Sequence, residues 1–119
     1  MPKLNLLLET SLFGFYYKDL FEKLLKNYPI QILNTQKYTP RIDKLAKRIL
    51  KRRVIPKTKP DDALHLASGI VIPKIDILVS FNYKHIVNAE VIEKAKIITQ
   101  KLNYKFNLEI YTPFYLIGL

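Results

Sequence analysis

The sequence contains no cysteine, which excludes a disulfide framework and a thiolate metal site and fits a reducing cytoplasm. Glycine is scarce, with three in the chain, and none stands in a glycine-rich run that would cradle phosphates. There is no internal repeat, and no Ser-His-Asp arrangement that the sequence alone justifies. Acids are few, 10 Asp and Glu against 20 Lys and Arg, for a formal net charge of +10. Long apolar runs are missing as well. The longest uncharged one, Ala63 to Pro73, carries His65 and is too short to span a bilayer. Near the amino end a short apolar patch is cut off by Glu9 with no small-residue cleavage site after it, so a signal peptide is not expected. The expectation is a soluble, cytoplasmic protein with no membrane partner.

What remains is a chain of 119 residues, 49% of them hydrophobic, long enough to fold as one domain over residues 1–119 on a single core. Its charge is unevenly spread. Residues 1–60 hold 14 Lys and Arg against 4 acids, whereas residues 61–119 hold 6 against 6. Between Lys37 and Lys59 there are ten basic residues and one acid, Asp43. Such a run is either a solvated face or the footprint of a polyanionic partner.

Taken in order, Leu4 to Leu8 reads as a buried strand that hands over at Glu-Thr-Ser to a helix. Thr10 or Ser11 can cap that helix. Glu9 then either complements the helix dipole or points into a site at the carboxyl edge of a parallel sheet. Leu12 to Lys26 is helical and aromatic-rich at its start, Ile30 to Leu33 reads as a short strand, and Thr39 and Pro40 suit a cap and a first helical position. Ile42, Leu45, Ala46, Ile49 and Leu50 fall at i, i+3, i+4, i+7 and i+8, one apolar face of a helix from Arg41 to Arg53. Lys44, Lys47, Arg48, Lys51, Arg52 and Arg53 occupy much of the remainder. Periodicity explains them as surface charges; the lack of balancing acids favours phosphate binding.

Pro60 and Asp61 suit the start of a largely buried helix that Pro73 stops. Asp62, His65 and Gly69 share one side of it, at i, i+3 and i+7. Ile75 to Val79 is an apolar strand with Ser80, Phe81 and Asn82 at its carboxyl end, the edge where open α/β sheets place ligands. Asn88 caps a last amphipathic helix carrying Val91, Ile92, Ala95, Ile98 and Leu102, and Leu108 to Tyr111 is a final strand. Strand and helix alternate along the chain, which is the pattern of an α/β fold.

The stretch DDALHLASGIVIPKIDILVSFNYKHIVN resembles the carboxyl half of a PIN domain, the small nuclease domain of VapC-type toxins. LLLETSLF resembles the opening strand of the same domain, and the likeness spans residues 3–17 and 41–113. It implies a three-layer α/β/α domain with a small, mainly parallel sheet, and a hydrolase that cuts RNA with Mg²⁺ or Mn²⁺ held by carboxylates. Position by position, Glu9 is implied as the opening acid, Asp62 as the acid at the helix start, and Asn82 as the polar residue after the strand. Glu9 and Asp62 would hold the metal. Asp61, Ser80 and His85 are implied as positioning or substrate-contacting residues, although Asp61 is equally a solvated N-cap and His85 equally a turn-closing residue. His65, among Ala and Leu, reads as a core histidine.

The chain departs from that pattern in one place. Phe15 to Asp19 passes directly from the opening helix into the next, omitting a section that supplies another acid, so the domain is internally shortened. Asp19 or Glu22 lies two or more turns beyond Glu9, roughly 15 Å along a helix axis. With only Glu9 and Asp62 as carboxylates, weak metal affinity is expected. Two functions follow: a PIN-like metal-dependent ribonuclease, as a toxin of a toxin-antitoxin pair with a protein antitoxin, or a catalytically inert PIN remnant that binds RNA or a protein. RNA would run along Lys44, Lys47, Arg48, Lys51, Arg52 and Arg53. The missing section would leave apolar sheet surface for a homodimer, or for Phe114, Tyr115, Leu116 and Ile117, to cover.

Overall fold

The computed structural model describes residues 5–8, 22, 23, 26, 36–104 and 106–116. Three short strands, β1 (Leu6–Leu8), β2 (Ile77–Val79) and β3 (Glu109–Tyr111), form a parallel sheet in the order β1-β2-β3. Leu7 pairs with Leu78 and Leu78 with Ile110. A 3-10 turn (Gln36–Tyr38) leads into α1 (Thr39–Lys51), and α2 (Pro60–Val71) precedes β2. Helix α3 (Ala89–Lys101) links β2 to β3, and a four-residue helix, α4 (Pro113–Leu116), follows β3. This is a small α/β fold, as the alternation of patterns predicts. No described helix is long and apolar enough to cross a membrane.

Successive side chains of a strand point to opposite faces, so each strand serves two cores. On one face Leu78, Ile110 and the partly buried Leu7 join the buried faces of α1, α2 and α3. Both crossovers step the same way across the sheet, and the preferred right-handed connection then lays their helices on the same side. On the other face Ile77 and Val79 are buried with Leu6, Phe81, Tyr111 and Leu116 packed around them. There Leu116 of the carboxyl-terminal aromatic segment covers the sheet, whereas Phe114 and Tyr115 are 43% and 64% exposed. Ile117 lies outside the described residues, as do Ile30 to Leu33 and most of Leu12 to Lys26, of which Glu22, Lys23 and Lys26 are helical and exposed.

Helix α1 buries Ile42, Leu45, Ala46 and Ile49 of the predicted stripe, and its fifth member, Leu50, is partly buried. Each of the Ile and Leu side chains contributes on the order of 1.5–3 kcal/mol when fully removed from water. Its ends differ from the sequence reading. Thr39 is already helical, Tyr38 holds the N-cap position with no side-chain cap bond, and the preceding 3-10 turn leads the chain in. The helix stops at Lys51 rather than Arg53. Arg53 N–H donates to Leu50 O (3.1 Å) and Val54 N–H to Ile49 O (3.0 Å), which closes the last turn with Arg53 at φ 56°. Those two bonds are a Schellman ending, here without glycine. Val54 folds back into the same core as Ile49. Helix α3 ends identically, with Asn103 at φ 62° and Tyr104 N–H donating to Thr99 O (2.9 Å).

Helix α2 has proline at its first position, as predicted, and Lys59 rather than Asp61 as N-cap. Asp61 and Asp62 stand in its first turn, where carboxylates complement the helix dipole. Gly69 lets α2 lie close on the sheet: a Cβ there would sit 3.0 Å from Leu108 Cδ2 and 3.6 Å from Leu78 Cβ. Strand β2 begins at Ile77, two residues later than predicted. Asp76 instead anchors the amino edge, its carboxylate accepting Asn5 N–H at 2.8 Å while its own N–H donates to Asn5 O at 2.9 Å. Strand β3 begins at Glu109 rather than Leu108.

Candidate functional site at the carboxyl edge of the sheet

The register sets Val79 between Leu8 and Tyr111, so the chain leaves β2 at the carboxyl edge of the sheet. Ser80 is fully buried there and ties the edge together, its N–H donating to Tyr111 O at 3.1 Å. Its hydroxyl oxygen accepts Asn82 N–H at 2.9 Å. Asn82 organises the turn that follows. Its side-chain Oδ1 accepts His85 N–H (2.9 Å), and its carbonyl accepts Ile86 N–H (3.0 Å) and Val87 N–H (2.8 Å). Buried Ile86 pins the turn to the main core.

That turn carries the His85 ring to the first turn of α2, where Nδ1 lies 3.0 Å from Asp62 Oδ2. The two side chains are 14% and 17% exposed. With Asp62 ionised, Nδ1 carries the proton and donates it, and such a charge-assisted bond in a half-dry setting is worth roughly 1.5–3 kcal/mol. The carboxylate thereby selects the tautomer in which Nε2 is the ring's acceptor. An imidazole held this way can take up a proton or accept a hydrogen bond.

Four sequence-predicted residues therefore form one continuous chain of contacts, from Ser80 to Asn82 to His85 to Asp62. Asp61 stands beside them on α2 and is exposed, and His65 is half-buried one turn further along. Glu9, which follows Leu8 in sequence, lies outside the described residues, as does Asp19. Among the described residues no three Asp, Glu, His or Cys side chains gather as a metal-binding group. Asp62 is the one carboxylate in the hydrogen-bonded chain, and one of its oxygens faces His85. The described residues thus do not by themselves fit a Mg²⁺ or Mn²⁺ site.

On α1, Lys44, Lys47 and Lys51 are exposed and Arg48 is half-buried. Arg52 is the C-cap and Arg53 lies beyond it, so the basic surface continues past the helix into its closing turn.

Sequence reasoning did not reveal the contact between Asp62 and His85, 23 positions apart. It also missed an aromatic group at the same edge. Phe81 meets Phe114 edge to face at 5.6 Å, and Tyr111 stacks on Tyr115 at 4.3 Å. Tyr111 donates its hydroxyl to Glu109 at 2.7 Å, and chiefly this bond pushes its pKa up to about 12, with desolvation adding to it. The i, i+4 spacing of Tyr111 and Tyr115 was the available signal. No protein-family model, no curated protein and no solved structure matches this chain.

Proposed function

We propose that this protein is a PIN-like ribonuclease that binds single-stranded RNA and acts on it at the carboxyl edge of the sheet, through Asp62, His85 and Asn82 together with Glu9. The observation that carries the reading is the contact chain from Ser80 to Asp62, which joins the residues that the family resemblance singles out. Support of a different kind comes from the exposed Lys44, Lys47, Lys51 and Arg52, a surface with few acids that suits a phosphate backbone.

The test is cleavage of a labelled single-stranded RNA by the purified chain with Mn²⁺, with Mg²⁺ and with EDTA. Metal-dependent cleavage that Asp62→Asn abolishes is the expected result. Cleavage that survives Asp62→Asn sinks the assignment of the site.

A second reading, a catalytically inert PIN remnant that binds RNA, has its own observation in its favour: Asp62 is engaged by His85, and no second carboxylate joins it among the described residues. It predicts no turnover in any metal, with binding whose logarithm falls against log salt with a slope of about −0.7 per phosphate neutralised.

A further inference from the structure

We infer that the groove between the end of α1 and the carboxyl-terminal half of α3 is a docking site for an acidic peptide segment with an aliphatic anchor. The groove encloses about 360 Å³. Its aliphatic lining is Val54, Ile97, Ile98 and Leu102, and Ile97 is 54% exposed. Its walls are cationic: Arg48 and Arg52 stand at i, i+4 from α1, and Lys94 and Lys101 flank Ile97 at i−3 and i+4 on α3. No acid lines it. Lys94 is bonded to Glu90 at 3.0 Å, while Arg48, Arg52 and Lys101 make no ion pair among the described residues.

Basic residues in the last turns of α1 and α3 complement the helix dipoles, which accounts for their positions. It does not account for a large branched side chain left open between them, off the stripe of Val91, Ala95 and Ile98 that α3 buries. Charge and apolar floor together select the occupant. RNA would meet the cations with phosphate and would find a guanidinium plane for a base, but it has no aliphatic group to cover Val54, Ile97, Ile98 and Leu102. A second copy of this chain brings the same formal charge of +10 and is repelled. A peptide with Asp or Glu on either side of a Leu, Ile or Val satisfies both, carboxylates on the guanidinium forks and the aliphatic side chain on Ile97. The volume suits one or two such anchors, so the partner contributes a linear segment rather than a folded face.

This inference does not depend on RNA cleavage, which the metal assay decides separately. The test is an amide-resonance titration of the isotope-labelled full chain with a short synthetic peptide that has Leu at its centre and Glu on both sides. Saturable shifts centred on Arg48, Val54, Ile97 and Leu102 are expected. Ile97→Glu and Lys101→Gln change exposed positions, and each should weaken binding about tenfold while leaving the helical circular dichroism intact. The Lys-for-Glu peptide should not bind. Equal binding of an Ala-for-Leu peptide would overturn the proposal by reducing it to charge. So would saturable shifts of Val54, Ile97 and Leu102 with oligouridine, no saturable shift with the peptide, or concentration-dependent self-association through Ile97.

Discussion

Asp62 and His85 show how much a single residue's role depends on its partner. A carboxylate in the first turn of a helix is stabilised by the dipole whatever its function, and in sequence only the family resemblance gives Asp62 a further role, as a metal-holding acid. Paired with a histidine at 3.0 Å, it becomes the group that orients a ring at the edge of the sheet. Arg53 is a second case. It takes the left-handed conformation (φ 56°) that glycine adopts without strain, and its side chain is exposed. Relief of roughly 1 kcal/mol of steric cost outweighs the extra freedom that glycine has in the unfolded chain. Arg53→Gly should therefore raise stability by about 0.5 kcal/mol, read as a higher denaturant midpoint with unchanged slope. Tyr111 carries a pH signature. Its pKa is raised from 10.0 to about 12, so the folded chain holds this proton more tightly than the unfolded one. The resulting stabilisation is complete below about pH 10 and is lost as pH rises through 12. Glu109→Gln should move the Tyr111 titration back towards 10.0, seen as the tyrosinate absorbance that Tyr111→Phe removes.

At the scale of elements, the contact of α2 with the sheet rests on the absence of a side chain. Gly69 admits Leu108 and Leu78 to the helix surface, and a β-branched residue there has to displace both. Gly69→Val should destabilise by about 1–3 kcal/mol, a loss that the better helix propensity of valine does not offset. Urea unfolding followed by circular dichroism measures it. The helix ends show which signals are local. Asn88 caps α3 by accepting the N–H groups of Glu90 (2.9 Å) and Val91 (3.3 Å), as its place before an amphipathic run predicts. Asn103, a residue tolerant of the left-handed region, ends the same helix. Arg53 ends α1 by the same geometry with no such chemistry, because packing of Val54 into the core, not turn propensity, decides the stop. That is why the sequence reading carried α1 two residues too far.

At the scale of the molecule, one cluster contains the buried faces of α1, α2 and α3 together with Leu78 and Ile110. No described helix has a core of its own. Denaturant unfolding should accordingly be a single transition, coincident by far-ultraviolet circular dichroism and tyrosine fluorescence; separated midpoints would show that the sheet and the helices unfold independently. The α/β class, the parallel sheet and the buried stripes of α1 and α3 were legible in the order and period of apolar residues, because a strand or helix face must be apolar to be buried. Four members of the candidate site, Asp62, Ser80, Asn82 and His85, were singled out in the sequence through the family resemblance. Their contacts were not legible. A sequence carries the period of each element but not the crossing of one over another, and the meeting of His85 with Asp62 is set by how the turn after β2 comes to lie against α2. The basic groove follows the same rule. Arg48 and Arg52 were visible in a one-sided run, but Lys94 and Lys101 lie on α3 outside it, and only the packing of α1 beside α3 on one face of the sheet makes a concave surface of them.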